Sequence, residues 1–101
     1  MPHQAPSRFP LVERQFTFDC PEELPYGDLE LPMRQAAGEL FAGAALDSIY
    51  RGDQLAAGRK AVSLRIFLQA QDRTLEEKDL QHLHSRIITA VEKRTLAKLR
   101  A

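Results

Sequence analysis

The sequence predicts an α+β domain with a four-stranded antiparallel sheet and both helices on one of its faces. Two stretches, 11–19 and 60–69, alternate apolar and polar residues with the period of a strand. Two others, 29–41 and 74–91, repeat apolar residues at helical spacing. The 101 residues suffice for one domain with one core.

In chain order, residues 1–8 are polar, carry two prolines and lack periodicity, which predicts a flexible lead-in to a domain over 9–101. In the first strand Val12, Phe16 and Phe18 share one side and Glu13, Gln15 and Thr17 the other, with Arg14 the polar exception on the apolar side. Cys20-Pro21 ends it, because proline has no N–H for a ladder. Pro25 to Gly27 reads as a turn. Leu29, Met33, Ala36, Ala37, Leu40 and Phe41 then line one helix face, with Asp28 as candidate N-cap and Pro32 tolerated in a first turn, or with a helix start near Leu31 instead, and Gly43 as terminator. A short second strand over 45–51 follows, then a loop over 52–58.

The third strand turns Val62, Leu64, Ile66 and Leu68 to one side, and Ser63, Arg65, Phe67 and Gln69 to the other. Thr74 to Glu77 has the spacing of a capping box, and Leu80, Leu83, Ile87, Ile88 and Val91 form the stripe of the second helix. Lys93 and Arg94 suit its C-terminus, and 96–100 is long enough for a last short strand. The β-α-β-β-α-β order, with right-handed crossovers, leaves the second sheet face open.

Composition narrows the function. Charged residues make up 28% and hydrophobic ones 44%, the balance of an ordinary globular chain, and no apolar stretch approaches a membrane span. The start of the chain lacks the apolar core of a secretory signal, and the single cysteine, Cys20, cannot form an internal disulfide; a cytoplasmic location is expected. The net charge is zero, which argues weakly against a nucleic-acid partner, but it is unevenly spread. Residues 1–47 hold eight acidic and three basic side chains, residues 48–101 six and eleven.

Catalytic chemistry finds little support. His82 and His84 lie two apart on a helix, do not share a face, and read as solvated polar positions. Cys20 has no C-x-x-C partner and reads as a half-buried structural thiol. Gly52 and Gly58 stand too far from a helix start for a phosphate loop. Glu76, Glu77 and Asp79 are explained by the dipole of the helix they begin. An acylphosphatase-like site would need a cationic loop after the first strand, where Cys20-Pro21-Glu22-Glu23 is acidic. No cofactor is expected in this domain.

An open sheet face suits single-stranded RNA, whose splayed bases need flat rings to stack on and cations nearby. Tyr50 and Phe67 are the candidate platforms, with Ser48 and Ser63 beside them. Arg51, Arg59, Lys60, Arg65 and Arg73 are candidate phosphate contacts. The same face would also serve a protein-interaction or regulatory module without RNA binding, a reading that the zero net charge favours slightly.

Several segments carry a resemblance. Phe9-Pro10-x-Val12-x-Arg14 opens the chain. Pro25-Tyr26-Gly27-Asp28-Leu29 and Ala36-Ala37-Gly38-Glu39-Leu40 follow, then Ile49-Tyr50-Arg51-Gly52, Gly58-Arg59-Lys60-Ala61-Val62-Ser63-Leu64-Arg65 and Asp72-Arg73-Thr74-Leu75. In this order they resemble the C-terminal anticodon-binding domain of phenylalanyl-tRNA synthetase β subunits, from about Phe9 to Arg100. The resemblance implies a ferredoxin-like fold and an RNA-binding module that holds the anticodon stem-loop of phenylalanine tRNA. It implies as partners the rest of a β subunit and an α subunit where ATP and magnesium serve aminoacylation. Tyr50 is then the strand-end tyrosine at the anticodon. Ser48 stands where the family usually has aspartate, Gln15 replaces an aspartate after the arginine, and the glycine common near Leu96 is missing. A serine hydroxyl reads a base edge more weakly than a carboxylate, and a bulge would bring neighbouring Asp47 to the same place.

Overall fold

The computed structural model describes residues 8–100; the expected lead-in over 1–8 lies almost wholly outside them. Strand β1 (Val12–Pro21) leads to helix α1 (Tyr26–Ala37), a 3-10 turn (Gly38–Leu40), strands β2 (Phe41–Tyr50) and β3 (Arg59–Leu68), helix α2 (Glu77–Arg94) and strand β4 (Lys98–Leu99). The sheet order is β2-β3-β1-β4 and every pairing is antiparallel. This is the expected ferredoxin-like arrangement. β1 and β3 form the centre, in unbroken register from Val12 opposite Leu68 to Pro21 opposite Arg59.

The inner face is the apolar set of each alternation. Phe16, Phe18 and Cys20 from β1 and Val62, Leu64, Ile66 and Leu68 from β3 are buried in one cluster. Leu29, Met33 and Ala37 of α1 join them, as do Leu80, Leu83, Ile87 and Val91 of α2. Each large apolar side chain buried this way contributes about 1.5–3 kcal/mol. The two helices pack side by side on this face, which leaves the outer face of the sheet without a helical cover.

Several boundaries differ from expectation. α1 begins at Tyr26, with Pro25 as its N-cap residue, so Asp28 stands in the first turn beside the positive end of the dipole. Pro32 falls in the second turn and is buried; its missing N–H removes one helical bond. The helix ends at Gly38, whose φ of +59° favours glycine, and not at Gly43. Leu40 therefore belongs to the 3-10 turn, and Phe41 opens a β2 that starts four residues before the expected Ala45. The capping box of α2 is built by Glu76 and Asp79, not by Thr74 and Glu77: each carboxylate accepts from the other residue's backbone N–H.

Two side chains sit deeper than expected. Cys20 is fully buried, and desolvation pushes its thiol up to about 11 against the pull of Lys60 and Arg59. His84 is not simply a solvated polar residue; its ring stacks on Phe16 with centroids 4.7 Å apart, and desolvation, then Arg14, lowers its pKa. Arg14, the polar exception on the apolar side, reaches the rim of α2 and pairs with Glu77 at 3.3 Å.

Candidate nucleic-acid interface

The outer face is a set of cross-strand rows fixed by register. Tyr50, Ala61 and Asp19 form one row, and Ser48, Ser63 and Thr17 the next. Ala45, Arg65 and Gln15 form a third, and Gly43, Phe67 and Glu13 the last. The middle of the face is a hydroxyl patch, in which the Thr17 and Ser63 oxygens lie 2.8 Å apart. It offers adaptable donors and acceptors without fixed charge.

A register shift between Leu46 and Ser48 inserts Asp47 as an extra residue in β2. Asp47 keeps the outward phase of Ala45, the bulge brings Ser48 to the same side, and Arg65 Nε donates to Asp47 Oδ1 at 2.9 Å. Arg65 also faces Glu13 at 3.6 Å and lies over the Phe67 ring, 5.5 Å from its centroid. The Asp47 hydrogen bond, then its charge, raises the guanidinium pKa. The bulge thus places a carboxylate beside Ser48, as expected from the sequence.

The two rings have different settings. Phe67 is half-buried and packs over Gly43, where an added Cβ would stand 3.6 Å from the ring. Tyr50 is 45% exposed, and its phenol folds back over Gly52. A Cβ on Gly52 would lie 2.6 Å from Cζ of that phenol, so the Tyr-x-Gly spacing is a seat for the ring.

The candidate cations do not all belong to this face. Lys60 is a correction: it is in phase with Val62 and Leu64, points inward, and is only 7% exposed. Its Nζ donates to the Leu24 carbonyl at 2.8 Å. Arg51 grips Glu22 through Nε at 2.5 Å and Nη2 at 2.8 Å; this hydrogen bond holds the Glu22 carboxyl below the usual range and raises Arg51. Arg59 pairs with Asp19 at 2.6 Å, and Arg73 pairs with Asp72 at 3.1 Å on the helix side. Arg51, Arg59 and Arg65 therefore each carry a carboxylate partner. Gln69 donates to the Phe9 carbonyl at 2.7 Å and ties the start of the domain to the end of β3.

Lys98 was missed. β4 places it on the outer side opposite Asp19, and Arg100 follows two positions on, its backbone N–H bonded to Thr17. Among the described residues neither side chain has a carboxylate partner. The alternation Lys98-Leu99-Arg100 was the available signal.

The family model for the ferredoxin-fold anticodon binding domain matches residues 7–100. The phenylalanine–tRNA ligase β subunit of Bdellovibrio bacteriovorus is 34% identical over 90 residues, 89% of this chain and 11% of that protein. The same subunit from Syntrophotalea carbinolica is 31% identical over 85 residues, 84% of this chain and 11% of that protein. That from Thermobifida fusca is 31% identical over 94 residues, 93% of this chain and 11% of that protein. The chain spans about a tenth of the length of these relatives.

Proposed function

Because the chain belongs to the ferredoxin-fold anticodon binding domain family, we propose that it is the anticodon-reading module of a phenylalanine–tRNA ligase β subunit and reads RNA on its outer sheet face. The observation that carries this is the Tyr50 phenol seated on Gly52 at the edge of the hydroxyl row. It supplies a supported, exposed stacking surface beside groups that bond to base edges. In this reading a base of the anticodon loop stacks on Tyr50. Ser48, Ser63 and Asp47 meet its polar edge, Lys98 and Arg100 meet phosphates, and Arg65 orients Asp47.

Aminoacylation, with its ATP and magnesium, belongs in this reading to an α subunit in the cytoplasm; the present chain binds and positions. No described helix is long and apolar enough to cross a membrane. A protein-docking module without RNA binding is less well supported, because exposed Leu46 and Ile49 pair with inward-facing Leu64 and Val62. Those two lie along the helix side of the β2 edge, away from the outer face.

Titration with phenylalanine tRNA tests the proposal. Tyr50→Ala is expected to weaken binding by about 1–3 kcal/mol, roughly 5- to 150-fold. Unchanged affinity, or equal affinity for a tRNA with an altered anticodon, would overturn it.

A further inference from the structure

On the sheet side Arg51, Arg59 and Arg65 are each held by a carboxylate. On the helix side Arg73 and Lys78 face Asp72 and Glu76 at 3.1 and 3.7 Å, through exposed side chains, while the cations further along α2 are less constrained. Lys78, His82 and Arg86 follow each other at four-residue steps along α2, and Lys93 comes two turns later, so the four share one exposed side. Among the described residues neither Arg86 nor Lys93 has a carboxylate partner, and Arg94 donates only to the neutral Gln35 at 2.7 Å.

These side chains line two adjoining depressions that have His82 and Arg86 in common, one between α1 and α2 and one reaching Arg73 and Lys78. The one carboxylate in the lining, Asp79, is engaged by the Glu76 N–H in the helix cap. The floor between the helices is made of small residues, Ala36, Ser85, Thr89 and Ala90. None of the large exposed apolar side chains lines either depression.

We propose that this helix-side groove binds the phosphate backbone of double-helical RNA, as a second contact separate from the sheet face. A protein partner would call for large exposed apolar or aromatic anchors, whereas the apolar lining here consists of Pro32, Ala36, Ala90 and the buried or part-buried Leu83 and Leu40. A phosphate backbone calls for a regular row of cations over a surface open enough to approach, which the groove has. The inference rests on the reading of the chain as an RNA-binding module, and the two are separable by probe.

The test is binding of the chain to a blunt 16-base-pair RNA duplex, which has no loop for the sheet to read, at several salt concentrations. The double variant Arg86→Gln/Lys93→Gln is expected to weaken duplex binding about tenfold or more and to reduce the salt slope by about two. The charge-keeping pair Arg86→Lys/Lys93→Arg should retain most of the affinity, and Tyr50→Ala should leave it unchanged. Wild-type duplex affinity in the Gln variant overturns the proposal, as does tighter binding of poly-glutamate than of duplex. Failure with the duplex while tRNA binding still depends on Tyr50 sinks the groove alone. Loss of Tyr50 dependence with the duplex result intact sinks only the sheet reading.

Discussion

Arg65 and Asp47 meet on the outer face, carboxylate and guanidinium 2.9 Å apart, at the extra residue that β2 carries between Leu46 and Ser48. Without the bulge, the alternation of β2 would send Asp47 to the opposite side from Ser48. The pair puts an acceptor next to the hydroxyl row and removes a free cation from it. In the proposed reading, the face relies less on net charge than on shape and hydrogen bonding.

Asp47→Ala should therefore leave Arg65 with only its looser contact to Glu13, at 3.6 Å, and make it a more available cation. Non-specific RNA affinity at low salt is expected to rise and the salt slope to steepen by about one phosphate contact. Discrimination between phenylalanine tRNA and a tRNA with an altered anticodon should fall. Salt-dependent titrations of both tRNAs measure the two effects together.

Gly52→Ala should act as a remote deletion of Tyr50. The new Cβ would collide with the phenol, so the ring must leave its seat. Since Gly52 and Tyr50 are exposed, stability should change by less than about 0.5 kcal/mol, while affinity for phenylalanine tRNA falls to about the level of Tyr50→Ala. Urea unfolding and titration of the same variant separate the two.

Lys60→Met should change stability and not RNA binding. The substitution keeps the buried stem but leaves the Leu24 carbonyl without its donor, at a cost of about 1–3 kcal/mol. The salt slope for tRNA should match that of the unaltered chain; a slope lower by about one would show that Lys60 reaches phosphate after all.

His84 gives the fold a defined acid sensitivity. Its pKa is lowered in the folded chain by desolvation and by Arg14, so as pH falls the unfolded chain takes up the proton first. The stability that follows from the neutral stacked ring is complete above the unfolded value of about 6.5 and is lost as pH drops through the lower folded pKa. Urea midpoints at pH 8 and pH 5 should differ less in His84→Gln than in the unaltered chain.

What the sequence made legible follows from which forces are local. Val62, Leu64, Ile66 and Leu68 alternate with polar neighbours, and the buried face of β3 is where that alternation puts it. The early start of β2 was hidden because Phe41-Ala42-Gly43-Ala44-Ala45 lacks β-branched residues, and its pairing is supplied by β3. The start of α1 was hidden because Pro25-Tyr26-Gly27 resembles a turn, although proline is well suited to precede a helix. Lys60 lies inside because it shares the phase of Val62, and the Leu24 carbonyl meets its charge there. The pairs Arg51–Glu22 and Arg59–Asp19 join residues far apart in the chain and became visible only with the sheet register.

The ladder between β1 and β3 also bears on how the chain acquires its form. β2 and β3 are separated by one short loop and can pair as a hairpin, but Val12 has no partner until Leu68 has been synthesised. During translation β1 emerges before the other strands and must wait, its apolar residues unprotected, for a strand that follows only after α1 and β2. Closing that gap is the slow step expected of a topology dominated by distant pairings. Substitutions that weaken β1 should then retard refolding more than equally costly ones in the β2–β3 hairpin.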